Sequence, residues 1–527
     1  MMNAYFDFVK GACEFEGQVV SNGDQSVLLV ANCGTCSEKE IIPAYEKYGT
    51  DCVSHLEGVF SFCLYDSSKK QLFVARDRIG EKSVYYSQLP TGFAFSSELK
   101  DILPKIKYPA INAHAFAEGI RYNYPIELQQ TWIEQIKRLR AGEYAIVDAG
   151  GLRLHTYWKR NHTPSFKGTK QDAIQETLRL MRQSVRRCIE TANGPVAVLL
   201  SGGIDSSSLA AFAKEIQQDV HVFSAGYKGS YQCDERQIAR RFAKENNLVY
   251  HEVELDVSDF KNMFDALSLY IDEPCFDISC MSQFALYKKI SEMGFKVILS
   301  GLGGDEQFYS YSGWHRTLNS IQLQKEFQDL FPWKNKKLDY LRFMRKHWRY
   351  VLFAGYPDKL DESEPESWIY KDYKLFSEKA KINCGCGSFI FSDIDVKYIF
   401  QRDTDVVGIY DFIFSRFLVQ LCLYLGNKLG QANGVELRFP LLDAELVSFL
   451  DSLPLEMKFD SKNPKKFQKE IMTGIIPDYI LYARKRGFEP PQDFIKEMVN
   501  QYEYKHIESP FVFFNSMLAD KLVDLIL

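Results

Sequence analysis

The pattern of apolar and polar positions changes near residue 158 of this 527-residue chain. Before that point, short apolar runs alternate with polar positions or cluster between turn signals, which is typical of β-strands. The predicted strands cover residues 58–65, 71–75, 92–95, 143–147 and 152–157. The last two flank Ala149-Gly-Gly151 and are expected to form a hairpin. The first part of the chain is therefore predicted to be β-rich.

From Gln171 onward, helical and strand patterns alternate. Helices are predicted at 171–192, 207–217 and 234–246, and strands at 196–200, 220–225, 249–254 and 295–300. This alternation is typical of a doubly wound parallel sheet, whose ligands bind at the carboxyl ends of the strands. Residues 159–170 are polar and contain Pro and Gly, so we predict a linker there, between domains at 1–158 and 171–527. After about residue 310 the pattern is mostly helical.

Composition narrows the class of protein. The chain is 46% hydrophobic and 25% charged, as in soluble globular proteins. A net charge of −5 gives no reason to expect a nucleic-acid partner. No run of about 18 apolar residues predicts a transmembrane helix, and the first residues do not form a signal peptide. Twelve cysteines spread along the chain suit a reducing compartment, so we expect a cytoplasmic protein with no membrane partner.

The strongest motif follows the predicted strand 196–200 and reads Ser201-Gly-Gly-Ile-Asp205-Ser-Ser-Ser208. Gly202 and Gly203 would let backbone N–H groups approach an anion closely. Ser206–Ser208 add hydroxyl donors and are expected to cap the next helix, whose positive end favours the same anion. Asp205 is a candidate ligand for Mg²⁺. We predict a pyrophosphate-binding loop, the alternative being an ordinary turn before a helix.

A second loop, Ser300-Gly-Leu-Gly-Gly-Asp305-Glu306, follows the predicted strand 295–300. Asp305 would face Asp205 across the switch point of the sheet, where two carboxylates can share Mg²⁺ ions that bridge ATP phosphates. The alternative is that Asp305 caps a helix beginning near Glu306. The candidates for a wall around adenosine, which are alternatively core residues, are Leu199, Phe223, Ser224 and Gly303.

Nearly the whole chain resembles the asparagine synthetase family. The matching strings are 58–62, 75–82 and Tyr85-Tyr86 in the first half, and 201–208, 223–226, 234–235, 272–274, 300–306, 434–443 and 484–488 in the second. Other ligases of the ATP pyrophosphatase type share the loop 201–208 but not the strings 434–443 and 484–488. The order and spacing of all these matching strings in the present chain make the resemblance specific.

The resemblance implies an N-terminal Ntn-hydrolase-like, β-rich sandwich of α+β class. It also implies a C-terminal doubly wound parallel sheet of the ATP pyrophosphatase type with a helical extension. The implied cofactors are ATP and Mg²⁺. The implied ATP-binding residues are Leu199, Ser201, Gly202, Gly203, Asp205, Ser206, Ser207, Phe223, Ser224 and Gly303. Asp205 and Asp305 would hold Mg²⁺, and Glu436 and Arg438 would form an ion pair near the acceptor site.

Lys485 is the third implied catalytic residue, beside Asp205 and Asp305. It matches the lysine that stabilises charge as pyrophosphate leaves or as the tetrahedral intermediate forms, a role that suits a compact point charge. Because Arg484 and Arg486 flank it, a solvated basic surface is the alternative interpretation.

The N-terminal half departs from the family's glutamine-dependent members. Those begin with Met-Cys and use that cysteine as the nucleophile, whereas this chain begins Met1-Met2-Asn3 and its nearest cysteine, Cys13, is internal. The family's Asn-Gly-Glu string is missing, and Asn22-Gly-Asp24 is more typical of a turn. We therefore expect a glutaminase-like domain without glutaminase chemistry.

The acceptor side departs as well. Leu302 stands where many asparagine synthetases have Glu, and Lys428 stands where β-lactam synthetases have the Glu that partners a Tyr. Neither residue can act as a carboxylate base, which disfavours β-lactam chemistry. The amine is then expected as free ammonia, as an amine already deprotonated, or as one deprotonated by another residue such as Asp272, Glu273 or Asp277.

The expected function is an ATP-dependent, AMP- and pyrophosphate-forming amide synthetase. Its partners would be a small-molecule or peptide carboxylate and an amine donor, in specialised-metabolite or peptide biosynthesis, with lasso-peptide cyclases as the comparison. A homo-oligomer and a biosynthetic partner subunit are both compatible with the sequence. The alternatives are an asparagine synthetase using ammonia, or glutamine through a partner, and an inactive scaffold that binds nucleotide.

Overall fold

The computed structural model describes residues 2–8, 10–228, 235–256, 260–311, 406–460, 463–483, 517–519, 521–523 and 525. It has a mixed α/β fold with antiparallel sheets in the first part of the chain and a parallel sheet in the second, as predicted. Two compact units are distinguished. The first comprises Met1–Gln307, Ser415–Pro454 and Lys469–Leu527, and the second Phe308–Phe414 and Leu455–Gln468.

The N-terminal part contains two antiparallel sheets. The strands are β1 Asn3–Asp7, β2 Ala12–Glu16, β3 Val20–Ser21, β4 Val27–Cys33, β5 Phe60–Asp66, β6 Gln71–Arg76, β7 Tyr85–Leu89, β8 Gly92–Ser96, β9 Ile136–Arg138, β10 Glu143–Asp148 and β11 Gly151–Thr156. Their order is β2-β1-β8-β7-β9 in one sheet and β11-β10-β6-β5-β4-β3 in the other. The hairpin predicted around Gly151 is confirmed as the antiparallel pair β10–β11.

Side-chain alternation along β5 explains how these sheets pack. Cys63 and Tyr65 belong to a core shared with residues of β1 and β8, such as Phe6 and Phe95, which places this core between the two sheets. The alternate residues, including Phe62, belong to a second core that contains side chains of the helix α1 Glu38–Tyr48. Both faces of β5 are therefore covered, and all seven of its residues are buried.

The parallel sheet has the order β14-β13-β12-β15-β16. Its strands are β12 Val196–Leu199, β13 His221–Tyr227, β14 Val249–Leu255, β15 Val297–Leu299 and β16 Glu436–Arg438. The chain first extends the sheet from β12 toward β14 and then continues on the other side of β12 with β15. The strand order therefore reverses between β12 and β15, which is the switch point where doubly wound sheets bind ligands.

The other helices of the described residues are given in chain order. They are α2 Cys52–His55, α3 Leu99–Ile102, α4 Ala113–Tyr122, α5 Lys170–Glu190, α6 Ile204–Ile216, α7 Arg236–Glu245, α8 Phe260–Ser268, α9 Ser279–Glu292, α10 Gly304–Gln307, α11 Val406–Phe412, α12 Tyr424–Asn433, α13 Ala444–Ser452, α14 Leu455–Lys458, α15 Lys466–Met472 and α16 Asp478–Leu481. A π-helix covers Ile413–Leu423. Thr169 and Asp172 form a reciprocal capping box that fixes the start of α5.

The segment predicted as a linker is held against α13. The Arg160 guanidinium donates to both carboxylate oxygens of Asp451, over 2.9 and 2.6 Å, and the amide of Ser165 donates to the Ser452 carbonyl over 2.9 Å. His162 lies 3.2 Å from the same carboxylate. These contacts keep the segment close to the parallel-sheet part of the chain, and the domain boundaries at 158 and 171 stay a prediction.

One helical stretch of the described residues, Val406–Asn433, is long and apolar enough to cross a membrane. Nearly half of its most apolar window, 47%, is buried inside the protein, and core helices of soluble proteins meet the same criterion. Within it, Lys428 is 3% exposed and ion-paired. These features fit a core helix.

Candidate active site

The loop after β12 closes on itself through hydroxyl groups. Gly202 has φ +86°, a left-handed conformation that favours glycine. The Ser206 hydroxyl accepts from the Ser201 amide over 3.1 Å and lies 3.0 Å from the Ser201 hydroxyl. The Ser201 hydroxyl in turn accepts from the Gly203 amide over 3.3 Å. The predicted anion loop is thus a compact turn that ends at the N-terminus of α6.

The prediction that Ser206–Ser208 cap this helix is wrong. The helix begins at Ile204, three residues earlier than predicted, with Gly203 at the N-cap position and no side-chain cap. Ser208 donates to the Ile204 carbonyl over 2.6 Å within the helix, and the buried Ser207 hydroxyl has no hydrogen-bond partner among the described residues. Because no side chain caps the helix, its first-turn N–H groups are available to an anion.

The two predicted acidic loops lie against each other. A Cβ atom added to Gly304 would lie 2.1 Å from Asp205 Oδ1, and one added to Gly301 would lie 2.9 Å from Asp205 Cβ. Only residues without a side chain allow this approach. Asp305, the residue after Gly304, lies within the first turn of α10 and does not precede that helix as a cap. The structure therefore brings the loops of Asp205 and Asp305 together at the switch point.

These loops provide oxygen donors that suit Mg²⁺. Among the described residues, no group of three or more His, Cys, Asp and Glu side chains could hold a metal ion by itself. Mg²⁺ is commonly held by one or two carboxylates together with substrate phosphates, and Asp205 and Asp305 can supply that part of a site. Their role as metal ligands stays a prediction.

The candidates for the adenosine wall have different surroundings. Phe223 is fully buried and stacks on His251 with ring centroids 4.5 Å apart, so its side chain belongs to the core. The Ser224 hydroxyl donates to the Leu200 carbonyl. Leu199 is half-buried at the end of β12, and Gly303, with φ +91°, lies against Leu442. Because the Phe223 side chain lies in the core, only the Phe223 backbone could contact a nucleotide.

Lys485 and its neighbours Arg484 and Arg486 lie outside the described residues, as does Asp234. The predicted roles of Lys485 therefore stay predictions.

A buried charge cluster connects the two halves of the chain, and sequence reasoning missed it. Lys428 forms ion pairs with Glu98 and with Asp272, 3.1 Å from Asp272 Oδ1. The Tyr424 hydroxyl donates to the same carboxylate oxygen over 2.6 Å. Burial raises the pKa of Glu98 to about 7. Burial also acts to raise the pKa of Asp272, but the charge of Lys428 and the hydrogen bonds from Tyr424 and Lys428 together outweigh it and lower that pKa. Asp272 is thus a paired anion.

Arg138 holds a second buried carboxylate. It donates over 2.5 Å to Glu273 Oε1 and over 2.5 Å to Gln420 Oε1. Asp272 and Glu273, two of the candidate bases, are 0% and 3% exposed and both are ion-paired, so neither is a free base. The third candidate, Asp277, accepts from the Ser279 amide over 2.8 Å.

The string 75–82 has a structural role. The Asp77 carboxylate accepts hydrogen bonds from the four amides of residues 79–82, over 2.7 to 3.1 Å. The buried Arg76 guanidinium donates to the carbonyls of Gly80, Lys82 and Leu139. Together they fix a tight loop, and Asn427 of α12 donates to the Glu81 carbonyl over 2.7 Å. The string thus supports the contact between the N-terminal sheets and α12.

The predicted ion pair of Glu436 and Arg438 is present at 2.9 Å. Arg438 also donates to the carbonyls of Cys188 and Gly34, so it ties β16 to α5 and to the loop after β4. A cavity of about 30 Å³, enough for roughly two water molecules, lies beside this pair. None of residues 201–208 lines the cavity, whereas Leu442, which lies against Gly303, does.

The N-terminal residues that sequence analysis singled out have structural surroundings. In the turn between β3 and β4, Asn22 accepts from the Val27 amide over 3.0 Å and Asp24 accepts from the Ser26 amide over 3.0 Å. Burial raises the pKa of the Cys13 thiol, which disfavours the nucleophilic thiolate.

Comparison with known proteins adds independent findings. A family model described as asparagine synthase matches residues 176–524, and one described as a glutamine amidotransferase domain matches residues 29–158. The amidase chry2 of Gibberella zeae is 25% identical over 498 residues, covering 86% of this chain and 72% of that protein. Asparagine synthetase (glutamine-hydrolyzing) 3 of Bacillus subtilis is 24% identical over 477 residues, covering 86% and 70%. Among solved structures, an NH3-dependent NAD synthetase from Campylobacter jejuni matches with a TM-score of 0.19 and 16% identity, over 41% of this chain and 98% of that chain.

Proposed function

Because the chain belongs to the asparagine synthase family, we propose that it activates a substrate carboxylate as an AMP ester and joins it to an amine. Family membership makes it an ATP-using enzyme that forms carbon–nitrogen bonds. The finer parts of the proposal are the AMP-forming chemistry and a carboxylate from specialised-metabolite or peptide biosynthesis. The observation that carries the proposal is the contact between Asp205 and the backbone of Gly301 and Gly304 at the switch point.

In the first step, an oxygen of the substrate carboxylate attacks the α-phosphorus of ATP, and pyrophosphate leaves with the electron pair of the broken bond. The hydroxyls of Ser201 and Ser206 and the first-turn N–H groups of α6 stabilise the charge of the leaving pyrophosphate. Asp205 and Asp305 would hold Mg²⁺, which when bound neutralises part of the phosphate charge.

In the second step, the amine nitrogen forms a bond to the activated carbonyl carbon, AMP leaves and the nitrogen loses a proton. We propose that this amine is ammonia or a substrate amine from solution or from a partner subunit. Three observations support an external source: the raised pKa of the half-buried Cys13 thiol, the turn at Asn22–Asp24 and the absence of a carboxylate at Leu302. Asp277 is the candidate base left after Asp272 and Glu273 are seen to be ion-paired.

The test is substrate-dependent product formation from Mg-ATP by the purified full chain. Each of aspartate and a panel of amino acids, peptides and other carboxylates is incubated with ammonia, with glutamine or with a primary amine. Release of AMP and pyrophosphate, rather than ADP and phosphate, is measured together with amide by mass spectrometry. Asp205→Ala is expected to lose activity at least a hundredfold. Asp219→Ala removes an exposed aspartate between α6 and β13 and is the matched control.

The outcomes separate the alternatives. Amide formed only from a specialised acid or peptide supports the proposal, whereas asparagine formed from aspartate and ammonia identifies an asparagine synthetase. Turnover with glutamine alone would contradict an inactive N-terminal domain. ADP and phosphate would contradict the AMP-forming step, and ATP binding without turnover in any mixture would leave the scaffold interpretation.

A further inference from the structure

The segment from Leu269 to Phe276, which connects α8 and α9, is held by residues of the N-terminal domain. Its contacts are Lys100 Nζ to the Leu269 carbonyl at 2.6 Å, the Leu99 amide to Asp272 Oδ2 at 2.8 Å, Trp132 Nε1 to the Asp272 carbonyl at 2.8 Å, Arg138 to Glu273 Oε1 at 2.5 Å and the Phe276 amide to Asn123 Oδ1 at 3.3 Å. The N-terminal domain, which is expected to lack glutaminase chemistry, thus supplies both backbone and side-chain hydrogen-bond partners to this segment of the synthetase part.

The buried charges depend on each other. Asp272, Glu273 and Lys428 belong to the synthetase part, and Glu98 and Arg138 come from the N-terminal domain. Among the described residues, Arg138 is the ion-pair partner of Glu273, so loss of Arg138 leaves this carboxylate without one. A buried carboxylate without a partner must take up a proton or move toward water. Movement toward water would displace the Asp272–Glu273 backbone, and protonation would remove the charge by which Arg138 holds this backbone in place.

The same guanidinium supports the π-helix Ile413–Leu423. Arg138 donates to Gln420, and Arg416 of the π-helix donates over 2.9 Å to the Ile126 carbonyl of the N-terminal domain. π-helical turns are rare and occur frequently at functional sites. Arg138 therefore connects two separate elements of the synthetase part.

Both elements lead to the candidate active site. The segment continues to Asp277 at the start of α9, and the π-helix carries Cys422. Cys422 is followed by α12, in which Gly426 lies against Phe439 just beyond β16. At the start of α9, the Ser282 hydroxyl lies 2.7 Å from the Tyr227 hydroxyl at the carboxyl end of β13. Both elements therefore reach the carboxyl edge of the parallel sheet, where the candidate site lies.

We propose that Arg138 and Glu98 are positioning residues for the amine step, which they serve by holding the Asp272–Asp277 segment and the π-helix beside the activated carboxylate. This inference rests on the proposed function. When these elements are displaced, the AMP ester still forms on the loop of Ser201–Ser208. The amine then attacks more slowly, and water competes for the carbonyl carbon, giving AMP and the free acid instead of the amide.

The experiment compares the two half-reactions in the full chain. Glu98→Gln and Arg138→Met are expected to keep carboxylate-dependent exchange of pyrophosphate into ATP within about twofold, while amide formed per AMP falls about tenfold or more and the KM for the amine rises. Arg138→Lys should recover part of the loss. The matched control is Arg160→Met, which breaks the comparably buried ion pair with Asp451 of α13. An equal fall in both half-reactions would overturn the proposal.

Amide hydrogen exchange tests the same inference without turnover. Glu98→Gln and Arg138→Met are expected to accelerate exchange in 269–277 and 415–423 but not in 201–208, whereas Arg160→Met should leave all three segments unchanged. Unchanged exchange in 269–277 would overturn the proposal. If the unmodified chain activates no carboxylate, the proposed function fails, and the exchange result still decides whether the N-terminal domain holds this segment.

Discussion

The contact between the two acidic loops makes Gly304→Ala a sharp test of the candidate site. The new Cβ would lie 2.1 Å from Asp205 Oδ1 and 2.5 Å from Asp205 Cγ, so the oxygen must retreat by about 0.9 Å to reach the 3.0 Å that real Cβ atoms keep. A misplacement of about 1 Å in a reacting group costs roughly a hundredfold in rate. At about 1.4 kcal/mol for each factor of ten, this corresponds to a loss of roughly 3 kcal/mol of transition-state stabilisation.

The fold itself should tolerate this change. Gly304 does not have a positive φ, and its main obstacle is the end of a short side chain that can rotate. Gly426→Ala is the matched control, because the new Cβ would lie 3.4 Å from Leu437, an ordinary contact inside α12. That control should keep full activity and gain up to about 1 kcal/mol of stability from helix propensity.

The assay measures pyrophosphate release with the best carboxylate at saturating Mg-ATP, together with thermal unfolding of each variant. We expect Gly304→Ala to lose about a hundredfold in rate while its melting temperature stays close to that of the unmodified chain. A full rate in Gly304→Ala would refute the reasoning, since the Asp205 carboxylate would then have moved without consequence. A variant that unfolds would instead show that the loop contact supports the fold.

Two further predictions concern stability and pH. Burial disfavours the charged form of Asp451, but hydrogen bonds from His162 and Arg160 outweigh it and lower its pKa to about 2. The carboxylate thus adds about 2 kcal/mol of stability above pH 4, lost as the pH falls toward 2. Asp451→Asn should flatten that part of an acid-unfolding curve; an unchanged curve would contradict it. Burial and the charge of His221 lower the pKa of His251, so stability is full above about pH 6.5 and falls below it as the unfolded chain takes up the proton first. His251→Phe should reduce the difference in melting temperature between pH 7.5 and 5.5, and an undiminished difference would argue against this assignment.

Local patterns predicted nine strands and three helices, whereas the N-terminal strands β1–β4, β7 and β9 were not predicted. The strands around residues 60, 72, 94, 145 and 153 and those of the parallel sheet up to β15 all appear within a few residues of their predicted bounds. The strand β16 was not predicted as an element, because three residues between Gly434 and Phe439 carry no periodic signal. It exists because Glu436–Arg438 pair in parallel with β15, far away along the chain.

The site was predicted in part. The two Gly-rich loops and their meeting at the switch point follow from strand–turn–helix patterns, because parallel strands bring their carboxyl ends to one edge. The hydrogen bonds made by Ser201 and Ser206 could not be predicted from these patterns. A serine near a helix start suggests a cap, but Gly203 occupies that position and Ser206 instead closes the loop onto Ser201. Local composition does not distinguish these two arrangements, since they differ by the residue at which the helix begins.

The contacts within the buried charge cluster could not be predicted from the sequence. Lys428 lies in an apolar helical run, and a lysine buried there needs a carboxylate partner. That much is readable from the sequence, as is the acidic pair Asp272 and Glu273. The partner Glu98 is 330 residues away and lies in the other domain, and Arg138 is 135 residues from Glu273. No local rule pairs residues at such distances. The contacts arise only once the N-terminal domain and the synthetase part pack together, which is why these contacts become visible in the structure alone.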